Sequence, residues 1–145
     1  MLIVAATAFF FIIGWMAFSK VNSELQTSGF SQQGKDILTN TSNRYVDLFD
    51  GLFLTVFVLL WVVTLFLAYQ IDANPIFFPI TLFVFAVLVI LAAVFGNTFY
   101  TFSENAQIQE YAADFTVIPF VMNNFVTTMV IIGFSVAAVM YAKTR

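Results

Sequence analysis

Four long stretches of this 145-residue chain carry no charged side chain: residues 1–19, 51–71, 73–103 and 115–142. All five Lys and Arg and all eight Asp and Glu lie outside them. A charge at the centre of a bilayer is costly, and a helix needs about 20 apolar residues to cross the hydrocarbon. The pattern therefore predicts an all-α integral membrane protein with four transmembrane helices. The spans fall at about 1–19, 51–71, 76–100 and 117–142, within one membrane domain covering residues 1–145. Charged residues make up only 9% of the chain, against about 25% in a soluble domain, which is too few to cover a water-facing surface. The first stretch ends in Ala17-Phe18-Ser19, a small-residue pattern like a cleavage site, but it lacks a basic leader. We expect an uncleaved helix there.

The one sizeable polar segment, residues 20–50, carries helical signals at both ends. Lys20 and Glu24 are four apart and can pair on a helix face, and Gly29 offers a left-handed stop. Leu38, Tyr45, Leu48, Phe49 and Leu52 then recur near a helical period. Helix one is expected to run to about Ser28 and helix two to begin between Asp36 and Ser42. The two would form an extramembrane helical hairpin turning over residues 29–34. Asp72-Ala73-Asn74-Pro75 reads as a tight turn, since Pro75 disfavours helix at Asn74. Pro79 fits the first turn of the next helix. Asp50 and Asp72 read as solvated helix-end anchors, and Trp15, Tyr69, Tyr100, Tyr111 and Tyr141 as an interfacial aromatic belt. Three basic residues in the polar segment against two in the tail do not set an orientation.

The chain has no His and no Cys. That removes thiolate nucleophiles, imidazole bases and the usual zinc ligands, so no catalytic residue, cofactor or metal site is expected. A net charge of −3 without a basic cluster argues against nucleic acid, and six glycines without phosphate-loop spacing argue against nucleotides. Glu104, Glu110 and Asp114 form one acidic group. A solvated loop is the simpler reading and a bound divalent cation the sharper one. The twenty Phe read as lipid-facing bulk and helix packing. Small residues four apart, Ala92 with Gly96, Gly133 with Ala137, and Thr64 with Ala68, mark places where helices can approach. Asn123, Asn124, Thr127 and Thr128 are the one polar cluster within an apolar stretch. An amide in hydrocarbon needs a partner, so these residues are assigned to a helix interface. On that reading, Asn124→Leu weakens the bundle more than Phe125→Leu.

What remains is a non-catalytic membrane protein acting as a structural or assembly subunit of a larger complex, in a cellular membrane or in the membrane of a lipid-containing virion. Its expected partners are the lipid bilayer, other membrane or membrane-proximal subunits, and copies of itself. A holin-like pore former is the alternative, although no stretch carries the continuous polar stripe that lines a water-filled path. A lipid-modifying enzyme built on Glu110 comes third.

Overall fold

The computed structural model describes the backbone of residues 2–70 and 78–143, and their side chains except at 78, 79 and 143. Among the described residues there are six helices: α1 (Leu2–Thr27), α2 (Gln32–Gln70), α3 (Phe78–Ser103), α4 (Gln109–Ala113), α5 (Val117–Asn123) and α6 (Phe125–Lys143). Four of them, α1, α2, α3 and α6, are long and apolar enough to cross a membrane. The Asp72–Pro75 turn lies outside the described residues, as does the Pro79 side chain.

α1 and α2 are joined by a turn tighter than the sequence suggests. α1 ends at Thr27 and α2 already begins at Gln32, four residues before the earliest expected start. No described glycine has positive φ, so Gly29 is not a left-handed stop. Side chains satisfy the free carbonyls of the helix end instead. Thr27 Oγ1 donates to Glu24 O and Ser28 Oγ to Leu25 O, while Lys35 Nζ reaches across to Gln26 O at 2.8 Å. On the other strand of the turn Ser31 Oγ accepts from Gly34 N, a local bond that starts α2 early. Gln26 Nε2 ties the helices together through Lys35 O and Thr39 Oγ1.

The pairing fixes the register. Phe11 packs edge-on to Phe49 at 4.7 Å and Trp15 stacks on Tyr45 at 5.1 Å. A Cβ at Gly14 would lie 2.8 Å from the Tyr45 hydroxyl. With the Gln26–Lys35 contact, these pairs place Leu2 of α1 opposite about Val58 of α2. The other helices follow: Phe9 meets Phe99 and Phe102 of α3, Gly96 lies under Met122 and Phe125, and Gly133 under the Phe85 ring. Residues 51–70 of α2, 80–100 of α3 and about 118–138 of α5 and α6 thus run side by side over about 30 Å at 1.5 Å per residue. That length matches a hydrocarbon core. The apolar residues of α1 are displaced along this axis by about ten residues, or about 15 Å.

Burial follows the same division. The core holds Val4, Ala8, Ile12 and Trp15 of α1, Phe53 and Phe57 of α2, Ala92 and Phe99 of α3, and Ile118, Met122 and Phe125. These cluster at the end where α1 is present, which we call the head. Beyond Val58 the remaining helices form a shank whose large apolar residues face outward: Val62, Phe66, Phe83, Ile90, Ile131 and Phe134 are all at least half exposed.

The fourth apolar stretch is not one helix. It breaks at Asn124, whose φ of −103° and ψ of 23° leave the helical region. Its side-chain amide donates to Phe120 O at 2.9 Å, offering the backbone a partner that competes with helix continuation.

Candidate functional site

α5 is the most enclosed element. Phe115, Ile118, Val121, Met122 and Phe125 recur at helical spacing and all are buried, so the short helix packs between α2 and α3. Its N-terminus has free N–H groups, and Thr116 at the cap position makes no side-chain cap. Asp50 of α2 takes that role from 66 residues away. Its Oδ2 accepts from Thr116 N at 2.8 Å and Val117 N at 2.7 Å, and its Oδ1 from Ile118 N at 2.9 Å. Asp50 is 8% exposed, which corrects its assignment as a solvated anchor. The buried carboxylate is held because three donors converge on it.

A second polar tie lies nearby. Trp15 Nε1 donates to Asp114 Oδ2 at 2.7 Å, and the ring is 7% exposed within the Phe18, Tyr45 and Phe49 stack. Trp15 is therefore a core residue of the head, not a member of an interfacial belt. Of the acidic group, Asp114 is engaged by Trp15, while Glu110 and Tyr111 face Ser19, Lys20, Ser23 and Glu24 across an open groove. Glu104 is exposed at the end of α3. Among the described residues no three metal-binding side chains converge.

The helix-interface residues divide. Ala92 is fully buried, and Gly96 brings α3 close to the α5–α6 break, where an added Cβ would lie 3.3 Å from Met122 O. Gly133 accommodates the Phe85 ring, which an added Cβ would strike. Ala137 is exposed, as are Asn123, Asn124 and Thr127, and Thr128 is half-buried. Asn123 lines a notch with Gly96, Asn97 and Tyr100, whereas Asn124 turns back on Phe120. Asn124 thus bonds its own segment, and Phe125 is the residue that enters the core, at 1% exposure. In the shank, Trp61 Nε1 has no hydrogen-bond partner among the described residues.

The Asp50 clamp and the Trp15–Asp114 bond each hold one helical segment against another. Comparison with known proteins finds no matching family model, no matching curated protein and no matching solved structure.

Proposed function

We propose that the chain is a non-catalytic membrane subunit, a lipid-embedded shank that carries a rigid head for assembly with other proteins. The division of surface chemistry along the bundle is the observation that carries this reading. At head level Arg44, Asp47, Glu104, Glu110 and Asp114 are exposed, and charges there favour water or headgroups over lipid tails. At shank level most exposed residues are apolar and none is charged, although Thr64, Gln70, Thr81 and Thr127 are exposed there too. In this placement the 30 Å layer spans 51–70 of α2 and its neighbours, α1 enters it only through about Leu2–Phe9, and the 20–50 hairpin stands clear of it.

Fixed polar ties fit such a role. The Asp50 clamp and the aromatic stack hold the head on the shank, so a partner docking on one is transmitted to the other. The setting is a small subunit of a cellular membrane assembly or a virion membrane protein beneath its protein shell. Extraction in mild detergent followed by a native gel tests the reading. The chain is expected to migrate in an assembly larger than itself; a lone monomer, both in detergent and in lipid nanodiscs, refutes it.

A further inference from the structure

Several polar side chains within the apolar stretches are satisfied by their own helix. Thr55, Thr64, Thr98, Thr101 and Ser135 each donate to the carbonyl four residues back, and the Asn124 amide does the same. The side-chain amides of Asn97 and Asn123 have no hydrogen-bond partner among the described residues. Both border one notch of about 280 Å³, where the α5–α6 break lies beside α3. Ala93, Gly96, Asn97 and Tyr100 recur at helical spacing along its α3 wall.

We propose that this notch binds one ester-linked glycerolipid, whose carbonyls accept from the amides of Asn97 and Asn123. The proposal deepens the membrane reading and rests on it. No charged side chain lines the notch, so what it offers a ligand is neutral hydrogen bonding. An ester carbonyl takes an amide donor without bringing a donor of its own to satisfy. The walls grade from polar to apolar along α3. At the head end Tyr100, 54% exposed, adds a phenol to the two amides. At the shank end Ala93 and Val126 are apolar, and Ile90, one turn beyond Ala93, is 63% exposed. A ligand that follows this gradient is polar at one end and carries an apolar chain at the other. The volume lies just under that of small-molecule clefts, about 300 Å³ upward, which suits a glycerol ester rather than a helix about 10 Å across.

The full chain is reconstituted with ester-linked or ether-linked phosphatidylcholine, extracted in mild detergent, and its retained lipid counted by native mass spectrometry. Wild type is expected to keep a single ester lipid through washing. The double variant Asn97→Leu with Asn123→Leu should keep at least about five-fold less, since two hydrogen bonds are lost. Thr55→Val and Thr64→Val, which remove polar groups away from the notch, should retain lipid like wild type. The ether lipid has the same headgroup and chains but no carbonyl, so wild type should hold it several-fold more weakly. Equal retention by wild type and the double variant means that the amides are only hydrated, and overturns the site. Equal retention of ester and ether lipid by wild type overturns it too, and needs no variant to fold. A strong preference for phosphatidylglycerol over phosphatidylcholine means recognition by a charged side chain elsewhere, and refutes the notch. Val62→Cys in the shank, treated in bilayers with a water-soluble maleimide, separates the two proposals. If it is protected while no lipid is retained, only the notch falls; if it is labelled, the membrane placement falls and the notch with it.

Discussion

Asp50 acts as a helix cap supplied from another helix, and its effect on stability is correspondingly large. In Asp50→Asn one oxygen still accepts, but the amide presents N–H groups where two backbone donors now point. Leaving buried donors unsatisfied costs about 1–3 kcal/mol each, so this variant is expected to lose roughly 2–4 kcal/mol in detergent unfolding. Exposed Asp47→Asn should change by less than about 0.5 kcal/mol; equal losses would show that the clamp carries no particular stability. Tyr45 gives a pH signature. Burial in the aromatic stack raises its phenol above the ordinary value of 10.0, so the fold favours the neutral form. Its contribution is complete below the unfolded pKa of about 10 and is lost as pH climbs through the raised value. The ultraviolet phenolate difference between wild type and Tyr45→Phe should therefore titrate later than free tyrosine. Neither role was legible locally. The sequence shows Asp50 only as the charge flanking an apolar stretch, because its donors at 116–118 are far along the chain, and a tyrosine at helical spacing does not reveal which rings will enclose it.

Between α5 and α6 the break at Asn124 decides which side chains matter. Asn124 is exposed and bonded to Phe120 O, while Phe125 lies beneath Gly96 in the core. Phe125 therefore has the core role and Asn124 a local one, so we predict that position 125 is the more sensitive of the two. Phe125→Ala should cost about 3–5 kcal/mol as a core truncation, and Asn124→Leu should cost less, since it removes one local hydrogen bond of about 0.5–1.5 kcal/mol. Thermal unfolding of both variants in one detergent checks this; a larger loss for Asn124→Leu restores the interhelical amide. The all-helical class and four apolar helices were legible because charge is excluded from whole stretches. The turn after α1 was legible to within a few residues because Lys20, Glu24 and the Leu38–Leu52 periodicity bracket it. The break was not, because residues 117–142 are as apolar as one continuous span. Only the adjacent Asn123 and Asn124 hint at it, and the sequence does not show whether an amide there bonds another helix or its own backbone.

Across the whole molecule, the sequence counts apolar stretches but cannot place them at a common depth. Residues 1–19 and 51–71 look like equal spans, yet the aromatic pairs Phe11–Phe49 and Trp15–Tyr45 offset them by about 15 Å. What sets the offset is the short turn at 28–31, which forces α1 to descend beside the polar first half of α2 before its apolar partner begins. The two tryptophans measure the consequence. Trp61 stands near the middle of α2's apolar run, whereas Trp15 stands beside Tyr45, about 9 Å outside Gly51 at 1.5 Å per residue. If α1 were centred in the bilayer as a fourth equal span, Trp15 would lie about 8 Å from the midplane, inside the hydrocarbon. Lipids brominated deep in the acyl chains should therefore quench the Trp15→Phe protein, which retains Trp61, several-fold more than the Trp61→Phe protein, which retains Trp15. Comparable quenching of the two would centre the apolar layer between them, near Phe53, and the head would then be part of the membrane bundle rather than a platform above it.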